Sequence, residues 1–289
     1  MNAHKPLPAA RPAPLMRGVL LFCVILYCVG APAKTLRMGI FPYFSPEQLI
    51  GLHKPLKDYL AHETGLPIRL VSAPDFKTFR QGTAAGRYDL LVTAPHLGRL
   101  AERQARYRWL AVTSNYSEAV FVARRDGPIH RIADLRGKRL ALPPRLAIIH
   151  QMALETLEAT GLEGGRDVTI VPYKSHDRAL YAVILGETDA AAVGRPTWRR
   201  YQAPEKRSLR VIGRSRPIPG FAIMVHRDLP KETAEALRRA LEAFPGTPVG
   251  KTYFDTTGLE GVRPISPQDL AVLDHYLARI EAAREAASQ

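Results

Sequence analysis

The sequence predicts an α/β protein with largely parallel sheets. Short apolar runs alternate with amphipathic stretches along most of the 289 residues, as in chains whose strands alternate with helices. A hydrophobic content of 46% is typical of a globular chain that can bury a core. Local signals agree, because Ser45 and Pro46 suit the start of a helix and Gly65 suits its end.

The predicted strands are short runs rich in Val, Ile, Leu, Ala and Phe. The first runs from Leu36 to Phe41 and is closed by Pro42. In chain order the predicted strands cover residues 36–41, 68–71, 88–93, 109–113, 119–123, 139–142, 168–171, 190–193, 209–212 and 221–225.

The predicted helices are recognised by apolar residues at a spacing of three to four. In the first helix four leucines give one apolar face: Leu49, Leu52, Leu56 and Leu60. In chain order the predicted helices cover residues 45–65, 76–86, 95–106, 147–160, 177–185, 230–243 and 267–284, with a short helical turn at 132–135.

The N-terminus has the three-part layout of a secretory signal peptide over residues 1–33. A basic segment without acidic residues precedes an apolar run at 18–30, and Ala31-Pro32-Ala33 supplies small residues for cleavage before Lys34. The run is shorter than the ~20 apolar residues that span a bilayer. We therefore expect export and a mature chain that begins near Lys34. An uncleaved membrane anchor is the alternative.

Composition excludes several classes of function for the mature chain. Cys23 and Cys28 both lie in the leader, so we expect no disulfide, thiol nucleophile or thiolate metal site outside it. Three of the 41 basic residues also lie there, which leaves 38 against 27 acidic residues, a net charge of about +11. This charge suits an anionic small molecule, a membrane surface or nucleic acid. Export and the scattered placement of the basic residues argue against nucleic acid.

Several sequence blocks, taken in their order along the chain, carry a family resemblance. They are Met38-Gly-Ile-Phe-Pro-Tyr-Phe-Ser-Pro46, Pro55-Leu-Lys-Asp-Tyr-Leu60, Gly86-Arg-Tyr-Asp-Leu-Leu-Val92, Ile132-Ala-Asp-Leu-Arg-Gly-Lys-Arg-Leu-Ala141 and Gly186-Glu-Thr-Asp-Ala-Ala-Ala-Val193. The ordered set resembles the substrate-binding proteins of phosphate, phosphite and phosphonate ABC transporters, which belong to the type 2 periplasmic binding-protein superfamily. The fit runs from about Leu36 to about His275, nearly the whole mature chain.

The resemblance implies a two-lobed α/β fold, with mostly parallel sheets, flanking helices and a ligand cleft between the lobes. We expect lobe 1 at 34–117 and 217–289 and lobe 2 at 118–216. The chain would cross between lobes near 116–123 and 211–221, and closure about such crossings is the usual response to ligand.

The candidate ligand-binding residues follow the carboxyl ends of predicted strands, where ligands bind in open α/β sheets. From lobe 1 they are Tyr43, Thr93, Pro95 and His96. From lobe 2 they are Arg145, Leu146, Ala147, Ile148, Arg195, Thr197 and Trp198. Core or surface roles remain open for several of them, Tyr43 and His96 included. Lys174 and His176 are weaker candidates.

The turn before the helix at Ala147 is the most informative part of the predicted site. A helix N-terminus offers free backbone N–H groups and the positive end of a dipole, which suit an anion. In the phosphonate-binding proteins the matching turn carries a Ser-Thr-Ser cluster. Here Leu146, Ala147 and Ile148 stand at those positions, and the hydroxyls are absent. We therefore expect backbone N–H groups and Arg145 to hold an anion. The apolar side chains suit a ligand with a hydrophobic part, or one that is no phosphate or phosphonate at all, or they simply pack the helix.

The predicted function is a periplasmic binding protein that captures a small anionic ligand, phosphonate-like or another organic anion, for an ABC permease. We expect a monomer with no cofactor, no metal and no catalytic residue. No zinc-type histidine spacing, nucleophile elbow, Walker loop or dinucleotide fingerprint occurs in the sequence. Two alternatives remain: a sensory protein read by a membrane histidine kinase or receptor, and an exported enzyme on the same scaffold.

Overall fold

The fold was taken from a computed structural model that describes Met1 and residues 34–145, 147–201 and 204–286. The predicted signal peptide, beyond Met1, and the predicted site residue Leu146 lie outside the described residues. The strands are β1 Leu36–Ile40, β2 Ile68–Ser72, β3 Leu90–Thr93, β4 Tyr107–Thr113, β5 Ala119–Arg124, β6 Arg139–Leu142, β7 Thr169–Pro172, β8 Ala190–Gly194, β9 Leu209–Arg214, β10 Ala222–His226 and β11 Val262–Arg263. The helices are α1 Pro46–Thr64, α2 Phe76–Ala84, α3 Pro95–Gln104, α4 Ile148–Ala159, α5 His176–Ile184, α6 Arg195–Arg200, α7 Lys231–Ala243, α8 Pro248–Thr257 and α9 Pro267–Ala286.

The first sheet has the strand order β2-β1-β3-β10-β4-β11. Strand β1 pairs in parallel with β2 and β3, whereas β10 runs antiparallel to β3 and β4, and β11 antiparallel to β4. Most of its strand residues are buried, and helices α1, α3 and α7 contact it.

The second sheet has the order β7-β6-β8-β5-β9, with β6 parallel to β7 and β8, and β5 antiparallel to β8 and β9. The α/β class is confirmed, but the prediction of mostly parallel sheets is wrong, because both sheets are mixed. The physical reason is the path of the chain. It enters the second sheet through β5 and returns to the first through β10, and each entering strand lies inside its sheet, antiparallel to both neighbours.

Two segments connect the sheets, between β4 and β5 and between β9 and β10. They run side by side: Ser117 N–H donates to the carbonyl of Ile218 at 2.8 Å, and Ile218 N–H donates back at 2.7 Å. Each segment is also tied to its neighbour by a hydroxyl, since Ser215 Oγ accepts from the N–H of Ala119 and Thr113 Oγ1 accepts from the N–H of Phe221. The lobe boundaries at 117/118 and 216/217 remain a prediction.

Helix α9 packs against helices of both sheets. Arg99 on α3 donates to both carboxylate oxygens of Asp274 at 2.9 Å, which ties α9 to the first sheet. Glu155 on α4 accepts from His275 at 3.0 Å and from Tyr276, which ties it to the second. The described helices include none that is both long and apolar enough to cross a membrane.

Candidate functional site

A small cavity lies between the two sheets, next to the paired connecting segments. Its volume is about 40 Å³, the space of about three water molecules. The wall is largely apolar. It is lined by Phe41, Tyr43, Phe76, Ala94, Pro95, His96, Ser117, Ala147, Ile148, Ile149, His176, Gly194, Pro196, Thr197, Ile218 and Phe221.

Helices α3, α4 and α6 begin at this cavity, and none of them has a side-chain cap. Their N-cap residues are Ala94, Ala147 and Gly194, which have no side chain able to accept from the first-turn N–H groups. Helices α1, α2, α5 and α8 are instead capped by Ser45, Asp75, Ser175 and Thr247. The uncapped first turns leave backbone donors without intrahelical partners at the cavity, although α7, which starts elsewhere, is also uncapped.

The turn that leads into α4 is held by its own hydrogen bonds. The carbonyl of Pro143 lies 2.8 Å from His150 Nδ1, and the amide of Gln151 donates to the carbonyl of Arg145 at 2.9 Å. Burial lowers the pKa of His150, so the neutral ring donates from Nδ1 to this carbonyl. These bonds fix the position of Ala147, whose N–H donates to Pro144 at 2.8 Å.

His176, the first residue of α5, is a neutral donor in the cavity wall. The backbone N–H of Gly194 donates to its Nδ1 at 3.0 Å, so that nitrogen is an acceptor. Burial lowers the pKa of His176 to about 4. The ring is therefore neutral at pH 7, with its proton on Nε2. Sequence reasoning ranked this histidine as a weak candidate.

Tyr43 contributes its ring to the cavity and its hydroxyl to the core. The ring packs on Phe44 and Phe221, with centroids 4.7 and 5.1 Å away. The hydroxyl lies 2.9 Å from Nε2 of the fully buried His53, whose Nδ1 lies 3.0 Å from the Tyr253 hydroxyl. Burial raises the pKa of Tyr43 and lowers that of His53 to about 3. The hydrogen-bonded series Tyr43–His53–Tyr253 thus holds the Tyr43 ring in place from the core side.

The structure brings together six of the predicted site residues in the cavity wall: Tyr43, Pro95, His96, Ala147, Ile148 and Thr197. His96 is 1% exposed, so it is a buried residue and not a surface histidine. Ile148 and Ile149 serve two purposes, since they line the cavity and pack in the core of the second sheet.

Four predicted residues do not belong to the cavity wall. Thr93 lines a separate cavity between α2 and α3, and Arg145 lines a groove on the far side of α4. Arg195 lies within 4.0 Å of Glu118 and Glu260, which draw its guanidinium away. Trp198 stacks beneath the ammonium of Lys206 at 4.7 Å.

The wall also contains residues that the strand-end rule did not select. Ser117 and Ile218 come from the connecting segments, and Phe41 and Phe221 stand at the edges of β1 and β10. The sequence could have marked Phe41, because it directly precedes Pro42 and so lies at the carboxyl end of the first predicted strand. Nothing local marks Ser117 or Ile218.

No Lys, Arg, Asp or Glu side chain of the described residues lines the cavity. Attraction for an anion must therefore come from helix N-termini and neutral donors. The described residues also contain no group of three or more His, Cys, Asp or Glu side chains placed to hold a metal ion.

Two mixed sheets joined by paired connecting segments, with a small cavity between them, define a two-lobed binding protein. The family comparison makes this specific. Residues 38–270 match the family described as "ABC transporter, phosphonate, periplasmic substrate-binding protein", and the chain belongs to that family. The resemblance found in the sequence is thereby confirmed. The chain is a periplasmic substrate-binding protein of an ABC transporter, with a small-molecule ligand and a permease as its partners.

Solved structures with this fold are numerous. PhnD1 from Prochlorococcus marinus, in complex with methylphosphonate, aligns with a TM-score of 0.75 and 14% identity over 86% of this chain and 98% of its own. A binding protein of an ABC phosphonate transporter from Pseudomonas aeruginosa, PA3383, gives 0.70 and 17% over 89% and 100%. XAC2383 from Xanthomonas citri, bound to ATP, gives 0.68 and 21% over 88% and 99%. No curated protein matches the sequence significantly.

Proposed function

We propose that this protein captures a short-chain alkylphosphonate, of about the size of methylphosphonate, in the cavity between the sheets. The observation that carries the proposal is the convergence of uncapped helix N-termini on an otherwise apolar, uncharged cavity. An acidic head group would bind the backbone donors, and a short alkyl group would contact the apolar wall. PhnD1, a structural neighbour that holds methylphosphonate, supports this ligand class.

The head group would lie between the N-termini of α3 and α4. Each helix carries roughly half a positive charge at this end, and its first-turn N–H groups point outward. His176, Ser117 and Thr197 add neutral donors around the same space. Because no cation lines the wall, a ligand of low charge fits better than one with two full charges.

The size and polarity of the cavity favour a short substituent. A volume of about 40 Å³ is smaller than methylphosphonate itself, so the cavity must widen to admit this ligand and must widen further for each added carbon. The rings of Phe41, Phe76 and Phe221 offer contact to carbon and no hydrogen bond to a fourth oxygen. Phosphate would bury that oxygen without a partner, at a cost of roughly 1–3 kcal/mol. We therefore expect methylphosphonate to bind at least about tenfold more tightly than phosphate.

Calorimetry on the purified protein with methylphosphonate, n-butylphosphonate and phosphate tests the proposal. The expected order of affinity is methylphosphonate first, with butylphosphonate weaker because the cavity must open further for the longer chain. His176→Ala should weaken methylphosphonate binding at least about tenfold through loss of a donor. The matched control, His62→Ala on the exposed face of α1, should leave it unchanged. Equal affinity for phosphate and methylphosphonate, or no effect of His176→Ala, would contradict the assignment.

The proposal extends to removal of the signal peptide and to transfer of the ligand to the permease. The leader would be removed before Lys34 during export, and the ligand would be handed to the permease without chemical change. Intact-mass measurement of the periplasmic protein tests the first statement. Phosphorus NMR of methylphosphonate kept with the protein tests the second, because any new phosphorus signal would indicate turnover.

A further inference from the structure

A second, larger cavity lies outside the binding cleft, between α2, α3 and the end of α9. Its volume is about 390 Å³, within the range of small-molecule pockets, about 300–1,000 Å³. The deep wall is apolar and buried, formed by Phe79, Leu91, Leu97 and Ala101. The cavity is open to solvent on one side, and its buried apolar wall is large enough to contact a small molecule.

The rim of this cavity is basic. Lys77 and Arg80 lie one turn apart on α2, and Arg284 approaches from α9. The described lining residues include no acidic side chain, and Arg80 has no carboxylate partner within 4.0 Å in the described part of the chain. Burial and the neighbouring charge of Arg284 lower the pKa of Arg80. A bound anion would stabilise a half-buried guanidinium that lies beside like charges.

Two buried donors in this wall have no hydrogen-bond partner within the described residues. One is Nε of Arg80 and the other is the hydroxyl of Thr93, a residue that is 1% exposed. Buried polar groups are nearly always paired, with protein, water or ligand. Together they place unsatisfied donors beside an apolar space.

We propose that this cavity is a second ligand site, for a medium-chain carboxylate. The alkyl chain would lie against Leu91, Leu97 and Ala101, and the carboxylate would bind the guanidinium of Arg80, with Lys77 at the rim. The charge of the rim excludes a neutral lipid as the preferred occupant. The site is distinct from the cleft, because its residues and those of the cleft cavity do not overlap.

Calorimetry with decanoate, and with 1-decanol as the uncharged probe, tests the site. We expect one decanoate per protein and at least about tenfold weaker binding of decanol, since the charged hydrogen bond is lost. Arg80→Gln should weaken decanoate at least about tenfold, whereas Arg178→Gln, an exposed arginine on α5, should not. Ala101→Phe should also weaken decanoate by filling the cavity.

Competition with methylphosphonate separates this proposal from the proposed function. Saturating methylphosphonate should leave decanoate affinity unchanged, and Arg80→Gln should leave methylphosphonate affinity unchanged. The proposal is overturned if decanoate does not bind, if Arg80→Gln binds it as the parent does, or if methylphosphonate displaces it. Arg80→Gln keeps the test decisive should Ala101→Phe fail to fold, because Arg80 is only partly buried.

Discussion

Replacement of His53 by Gln should make the protein more resistant to acid. His53 is fully buried between the hydroxyls of Tyr43 and Tyr253, and its pKa falls from 6.5 to about 3 because burial disfavours the charged ring. Glutamine also presents one acceptor and one donor, but it does not titrate. The substitution therefore removes the group whose titration makes stability depend on pH, while it keeps polar partners for both tyrosines.

The magnitude follows from proton linkage. Below pH 6.5 the unfolded chain binds a proton at this ring that the folded chain takes up only near pH 3. Acid therefore favours the unfolded state, and the stabilising contribution is complete above pH 6.5 and is lost as the pH falls toward 3. Each pH unit in this window costs about 1.4 kcal/mol, so His53 accounts for a loss of about 2 kcal/mol between pH 7 and pH 5.

Urea unfolding at pH 7, 6 and 5 measures the effect. The difference in unfolding free energy between pH 7 and pH 5 should be about 2 kcal/mol smaller for His53→Gln than for the parent. His176 contributes in the same direction, since its pKa is lowered to about 4, but it does so in both proteins and cancels. His62→Gln, at an exposed position of α1, is the control. Parallel pH profiles for His53→Gln and the parent would refute the reasoning.

Three further predictions concern stability and binding. Gly51→Ala should stabilise α1 by about 0.5–1 kcal/mol, because open space surrounds the site. Gly250→Ala should instead destabilise the fold by about 1–3 kcal/mol, because its Cβ would overlap a backbone carbonyl. The denaturant midpoint should therefore rise for the first variant and fall for the second. Asp274→Asn should lower stability by up to about 1 kcal/mol through loss of the partly exposed ion pair with Arg99, and high salt should diminish the difference. Ala147→Asp should stabilise α4 by about 1 kcal/mol yet abolish methylphosphonate binding, which thermal unfolding and calorimetry on the same sample would reveal.

Local signals in the sequence identified most of the regular elements. Ser45, Pro46 and Gly65 bound α1 as predicted, because capping and left-handed termination depend on adjacent residues. Helices α6 and α8 were not predicted. Both are short, and α8 contains three threonines and has little apolar periodicity, so tertiary packing decides its conformation. Strand direction could not be predicted either, because the antiparallel strands β5 and β10 are buried almost as completely as β3 and β8, which have parallel neighbours.

The binding site could be predicted in part, for a similar reason. The strand-end rule found His96 and Ala147, since it depends on topology that the sequence pattern reveals. It also selected Arg195, which does not line the cavity; its partners Glu118 and Glu260 are remote in sequence, and only the fold brings them to the guanidinium. Charge complementarity in an anion site was expected from cations. The described cavity wall contains no Lys or Arg and instead offers backbone N–H groups, which every residue except proline carries and no sequence pattern marks.

The N-cap residues Ala94 and Ala147 give up helix stability that a polar cap would supply, and they leave backbone N–H groups available to a ligand. An Asp cap at Ala94 or Ala147 would stabilise its helix by about 1 kcal/mol, in the way that Asp75 caps α2. The same side chain would accept from the first-turn N–H groups and would repel an anion. Because α3 extends from the first sheet and α4 from the second, a ligand bound to both N-termini would act as a cap shared by the two sheets. Its binding energy would then favour their approach, so methylphosphonate should raise the melting temperature of the parent more than that of Ala147→Asp.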